Sequence, residues 1–206
     1  EEARQKKSRI YDISEDNLNF KEKAGKYIDF LNANAYDKER DVRTNIAGEF
    51  QKSNLAAALQ TAELICGRLD EDKIYEALSQ IRISGRMEEI APGIIVDVSH
   101  NIQGMQGFVQ TVEANYHGMK KRILFAASHQ NEEEYMKNIL KTIPEIEAFY
   151  TVGIHKRRID EAEFQDAFRK MIDRNQETTV CFVVGSFYLA GMAKDFINQE
   201  EKDVKL

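Results

Sequence analysis

From residue 85 onward the chain alternates apolar, β-branched runs with amphipathic stretches four times over, and few folds accommodate that rhythm. Runs at 94–98, 122–127, 147–152 and 179–184 have the length and composition of strands. Stretches at 102–116, 132–142, 160–174 and 186–197 carry apolar residues at helical spacing. The last strand, TVCFVV, is almost wholly apolar, as a strand covered on both faces must be. Strands joined by crossover helices imply a Rossmann-like, mainly parallel sheet with all four strands in one layer.

The preceding residues read differently. Residues 8–13, 26–31 and 41–46 alternate as strands between polar turns, which suggests an antiparallel meander. Two helices follow, at 51–66 with a stripe through Leu55, Ala58, Leu59, Ala62 and Ile65, and at 71–81 through Ile74, Ala77, Leu78 and Ile81. The expected division is therefore 1–84, a small α+β unit, and 85–206, the α/β unit.

Ligands of open α/β sheets lie beyond the carboxyl ends of the strands, which directs attention to the residues that end each run. In IIVDVSHN (94–101) the apolar strand stops at Asp97, and Asp97, His100 and Asn101 are expected at that edge rather than in the core. Ser99 and Asn101 are both suited to cap the following helix. The run 179–184 ends in Gly185-Ser186, where glycine permits a tight turn and serine can cap the next helix. Arg86 lies in Gly85-Arg86-Met87-Glu88, either as a cation aimed at a ligand or as a surface partner of Glu88 or Glu89. Upstream, Gln51 and Asn54 fall in FQKSNLAAAL, at the start of the helix at 51–66.

In order, these motifs read Q-x-x-N in FQKSNLAAAL, G-R-x-E, D-x-x-H-N and GSFYLAG. The set resembles the C-terminal half of the folylpolyglutamate synthase and dihydrofolate synthase family, within the Mur ligase superfamily, over about residues 45–197. Phe50, Ser84, the Val98-Ser99 pair and Met192 depart from that pattern. The resemblance implies that residues 1–84 are the end of a central ATP-binding domain and residues 85–206 a C-terminal ligase domain. It also implies the activity: ATP phosphorylates a folate carboxylate, and the amine of glutamate displaces phosphate to give an amide. In that scheme Arg86 and His100 are catalytic, Arg86 reaching the nucleotide phosphates and His100 orienting glutamate or neutralising charge. Gln51, Asn54, Arg86 and Asp97 contact ATP, and Asp97, His100, Asn101 and Ser186 contact substrate. Mg2+ ligands are expected in an N-terminal part not contained in this sequence, because no G-x-x-x-x-G-K-S/T loop occurs here. The expected partners are folate, glutamate and that N-terminal domain, without which the chain is expected to be inactive.

The first residue is Glu1 rather than Met, in keeping with a segment of something longer. A net charge of -6 provides no basic footprint for nucleic acid. No apolar run approaches membrane-spanning length, so the expected location is the cytoplasm, away from membranes. Cys66 and Cys181 lie in apolar settings and are expected as buried free thiols. The four histidines have no metal-ligand spacing. Lys156, Arg157 and Arg158 suggest a solvated turn more than a contact for a polyglutamate tail, and Phe187 and Tyr188 are expected to cover the sheet. The competing reading is a non-catalytic, ligase-like module that binds a folate or an anionic peptide. A murein-precursor ligase is a third reading, disfavoured by GSFYLAG.

Overall fold

The computed structural model describes residues 19–22, 28–31, 42–44 and 50–204, without 68, 129, 156–157 and 174–177. The chain divides into two compact units, one built mainly of residues 1–81 and the other mainly of 82–206.

In the first unit, β1 (Asn19–Glu22), β2 (Ile28–Leu31) and β3 (Val42–Thr44) pair antiparallel in that order. The meander is therefore present, with β1 at a position the alternation pattern did not single out; residues 8–13 lie outside those described. Helix α1 (Phe50–Cys66) and helix α2 (Glu71–Gln80) follow, the latter capped by Asp70, whose side chain accepts the Lys73 N–H. Burial of α1 centres on Leu55 and Ala56, so the expected stripe turns away from the interior at Ala58 and at Ile65, which is 77% exposed. Cys66, at the end of the same helix, is exposed rather than buried.

In the second unit five strands form one sheet in the order β4-β5-β10-β6-β7. Strands β5 (Ile94–Asp97), β10 (Thr179–Val184), β6 (Lys120–Phe125) and β7 (Ile146–Thr151) are mutually parallel. Strand β4 (Glu88–Ala91) adds an antiparallel edge that the sequence pattern did not reveal. A two-stranded hairpin, β8 (Ile154–His155) with β9 (Arg158–Ile159), follows β7; Arg158 is exposed, and Lys156 and Arg157 lie outside the described residues.

Side-chain alternation along the parallel strands divides the interior in two. One layer joins Ile95, Ile123, Phe125, Phe182 and Val184 to α3 (Ile102–Asn115) and α4 (Glu133–Leu140). The other joins Val96, Leu124, Cys181 and Val183 to α5 (Glu161–Ile172) and α6 (Phe187–Val204). The result is a mainly parallel sheet covered on both faces. Glu132, Glu133 and Glu134 form the acidic opening of α4 and the short 3-10 turn before it, where negative charge suits the helix dipole. Among the described residues no helix is long and apolar enough to cross a membrane.

Candidate functional site

Strand β10 lies between β5 and β6, yet it sends its chain to α6 on one face while β5 and β6 send theirs to α3 and α4 on the other. The chain thus parts to opposite faces at the carboxyl ends of β5 and β10, the position where open sheets form a ligand crevice. Gly185 makes that divergence possible. Its φ of +107° is in the left-handed half of the map, and a Cβ there would lie 2.5 Å from the Ala126 carbonyl oxygen and 2.6 Å from the Phe125 ring. The Gly185 N–H reaches the Asp97 carbonyl at 3.4 Å, stitching the two strand ends together.

Asp97 organises this rim. One carboxylate oxygen accepts the Met87 N–H at 2.9 Å, and the other accepts the Ser99 N–H at 2.9 Å and the Ser99 hydroxyl at 2.5 Å. The expectation that Asp97 would lie outside the core is corrected: it is at the strand end, as the turn chemistry required, but only 1% exposed, because the 85–88 turn and Ser99 cover it. Burial pushes its carboxyl pKa upward against the opposing hydrogen bonds from Ser99 and Met87 and the positive charge of Arg86. Ser99 is committed to Asp97, so the cap of α3 falls to Asn101, whose side-chain oxygen accepts the Gly104 N–H at 2.7 Å.

His100 is half-buried, with Nδ1 3.1 Å from the Val98 carbonyl. A carbonyl can only accept, so in the neutral ring Nδ1 carries the proton and Nε2 the lone pair. The His100 ring is 5.6 Å from that of Phe187, at the opening of α6. Phe187 is 59% and Tyr188 44% exposed, so these aromatics stand beside the rim rather than covering the sheet. Helical phase explains the reversal: Leu189 and Ala190, one and two positions on, face the core. Ser186 is buried, and its hydroxyl accepts the Tyr188 N–H at 3.1 Å, the capping role its position suggested.

Arg86 completes the rim. It is half-buried between two residues of positive φ, Gly85 (+71°) and Met87 (+46°), and no carboxylate among the described residues lies within ion-pair distance of it. A Cβ on Gly85 would meet a Val98 methyl at 2.7 Å. Glu88 does not pair with Arg86; it pairs with Lys194 of α6 at 2.9 Å. Partial burial works to raise the Glu88 pKa, but Lys194, the Gly85 N–H and Ser84 together outweigh it and hold the carboxyl below its usual range. Lys194 had no motif to mark it in the sequence.

Arg86, Asp97, His100, Asn101 and Ser186 all belong to this second unit. Gln51 and Asn54 belong to the first, where the Asn54 amide donates to the Gln51 side-chain oxygen at 2.9 Å, with Gln51 buried and Asn54 exposed. The described residues contain no group of three His, Cys, Asp or Glu side chains arranged to hold a metal ion.

No protein-family model matches the chain, and no curated protein sequence matches it. Solved structures do. A folylpolyglutamate synthase (FPGS) from Thermotoga maritima superposes with a TM-score of 0.70 at 22% identity, covering 96% of this chain and 50% of that one. E. coli FolC in complex with DHPP and ADP gives 0.71 at 14% identity, covering 90% and 47%. An FPGS complex with AMPPCP and folate gives 0.69 at 20% identity, covering 87% and 45%. The chain thus has the fold of one half of the FPGS structures and spans about half their length.

Proposed function

We propose that this chain supplies the C-terminal half of an ATP-dependent carboxylate-amine ligase of the FPGS type, adding glutamate to a folate through an acyl phosphate. The observation that carries the reading is the meeting of three separate motifs, G-R-x-E, D-x-x-H-N and GSFYLAG, on one rim of a sheet whose fold is that of FPGS. Nucleotide and folate come to this chain from the ligands named in the FPGS and FolC complexes.

The residues fit such a task. Arg86 offers a permanently charged guanidinium with no ion-pair partner among the described residues, suited to a phosphate or acyl phosphate. His100 presents Nε2 with a lone pair, able to accept a proton from an incoming ammonium or to orient it. Asp97 acts at one remove, holding Met87 and Ser99 and through them the segments bearing Arg86 and His100. Ser186 and Asn101 shape the rim as helix caps, Asn101 keeping its amide N–H groups for a ligand. Gln51 and Asn54 are assigned to the adenine side of the nucleotide. Residues 1–84 are read as the end of the ATP-binding domain, whose phosphate loop and Mg2+ ligands lie on a polypeptide segment outside this sequence. The cytoplasm is the compartment in which such a ligase finds its nucleotide.

The reading is tested by assaying amide formation from ATP, a reduced folate and glutamate with the chain alone and with a phosphate-loop half supplied. Ligation only in the second case supports it. Ligation by the chain alone, or folate binding without ligation in both, rejects it; the latter outcome favours the non-catalytic module.

A further inference from the structure

Lys194, the eighth residue of α6, contacts a segment more than a hundred residues earlier. Its ammonium donates to both Glu88 carboxylate oxygens, at 2.9 and 3.0 Å, and to the Ser84 hydroxyl at 2.8 Å. An ammonium has three N–H donors, and all three are used. Lys194 is therefore not a free cation awaiting an anionic ligand. Glu88 in turn holds the Gly85 N–H at 2.7 Å, immediately before Arg86.

We propose that Lys194 is a positioning residue that keeps Arg86 available by occupying the carboxylate nearest to it in sequence. Glu88 stands two residues from Arg86 and carries the opposite charge. Left without a partner, it would compete for the guanidinium and neutralise it. With Lys194 in place, Glu88 is turned toward α6, both oxygens are satisfied, and Arg86 has no ion-pair partner among the described residues. The pair is half-buried, its side chains being 33% and 30% exposed. The turn is further fixed at Gly85, whose carbonyl accepts the Val98 N–H at 2.8 Å, and at Met87, bound to Asp97. Met87 is held at positive φ, a conformation that persists in a side-chain-bearing residue only where its surroundings impose it. Because α6 follows directly on Ser186, Lys194 ties the Arg86 turn to the helix that begins at the Ser186 end of the rim.

This inference rests on the ligase reading, and its test separates the two. The ligation assay is run on the chain combined with the phosphate-loop half, comparing wild type, Arg86→Ala, Lys194→Met, Lys194→Arg and the double variant Glu88→Gln/Lys194→Met. Lys194→Met is expected to lose about tenfold in kcat/KM for ATP, less than the roughly hundredfold that misplacing a catalytic group outright can cost. Lys194→Arg is expected to retain most of the activity. The decisive measurement is the double variant, which removes the competing charge and should recover to within about threefold of wild type, since kcat/KM reports transition-state stabilisation directly. A merely structural lysine gives the opposite: the double variant no better than Lys194→Met, with melting temperature falling in step. That result, or wild-type activity in Lys194→Met while Arg86→Ala is impaired, overturns the inference and leaves the ligase reading intact. Absence of ligation in wild type, or full activity in Arg86→Ala, overturns the reading and this inference with it.

Discussion

The Asp97 carboxylate accepts the backbone N–H of Met87 at 2.9 Å, so a buried acid at the end of β5 holds the turn that presents Arg86. The same carboxylate takes two further donors from Ser99, and three hydrogen bonds converge on a group with almost no contact with solvent. A buried acceptor is costly to lose when its donors stay behind.

Asp97→Asn tests this arrangement with little change of shape. The amide oxygen can keep both Ser99 donors, but its NH2 then faces the Met87 N–H, donor against donor. The expected loss is about 1–3 kcal/mol of unfolding free energy, measured by urea denaturation. A change below about 0.5 kcal/mol, the scatter of ordinary surface substitutions, would remove Asp97 from its organising role.

Gly185→Ala is expected to cost more than an ordinary glycine replacement. The new methyl would require the Ala126 carbonyl, a backbone atom, to move from 2.5 Å away, at a φ of +107°. Strained backbone and overpacking each cost about 1–3 kcal/mol, so a loss of at least about 2 kcal/mol is expected by denaturant unfolding. Gly118→Ala, also at positive φ but with nothing within 4 Å of the added carbon, should lose distinctly less.

Acid should weaken the fold partly through Glu88. Its folded-state pKa is depressed, so its contribution is fully present above the ordinary carboxyl value of 4.5 and is lost as pH falls through the lower folded value. Glu88→Gln removes that dependence. The melting temperatures of wild type and Glu88→Gln should therefore differ most near pH 6 and converge as pH drops below 4.5. Asp97, with a raised pKa, contributes with the opposite sign, but it is common to both proteins and cancels. A gap that stays constant from pH 6 to pH 3 would contradict the assignment.

At the amino end of β6 the Lys121 side chain is fully buried and meets Glu145 at 2.8 Å, whose side chain is 46% exposed. Breaking such a pair from the carboxylate side strands a buried cation, whereas an apolar chain of similar length fills the same volume without one. Lys121→Met should consequently fall within about 1 kcal/mol of wild type, and Glu145→Gln should be the more damaging of the two. The reverse ranking in chemical denaturation would show that the ion pair itself supplies net stability.

In Arg86→Ala the expected balance is activity lost with stability kept. Arg86 is half-buried and without an ion-pair partner among the described residues, so its removal should change folding by about 0.5 kcal/mol or less. A guanidinium meeting developing charge is worth roughly 2–4 kcal/mol of transition-state stabilisation. Ligation assays on the chain with its phosphate-loop half, beside thermal melts, separate these magnitudes. A loss of turnover accounted for entirely by a lower melting temperature would return Arg86 to a structural role.

Much of this molecule was legible residue by residue. Period, turn chemistry and β-branching are local properties, so the four strands expected at 94–98, 122–127, 147–152 and 179–184, their parallel arrangement with alternating helices, and the ends of β5 and β10 followed from the sequence, whereas the antiparallel edge β4 and the β8–β9 hairpin did not. The same local rules identified Asn101 and Ser186 as caps. What they could not supply was adjacency. That β10 inserts between β5 and β6, bringing Gly185 against Asp97, depends on which parallel pairings bury the most apolar surface across the whole sheet. Nor does any spacing in the sequence connect Glu88 with Lys194 or assign a left-handed conformation to Met87; both depend on tertiary contacts that satisfy charge and impose strain from a distance. Phe187 and Tyr188 make the point from the other side, since their apolar character suggested burial and the phase of α6 on its sheet left them exposed beside the rim. Chemical character is written locally, but the partner a charge finds and the side a ring faces are properties of the packed whole.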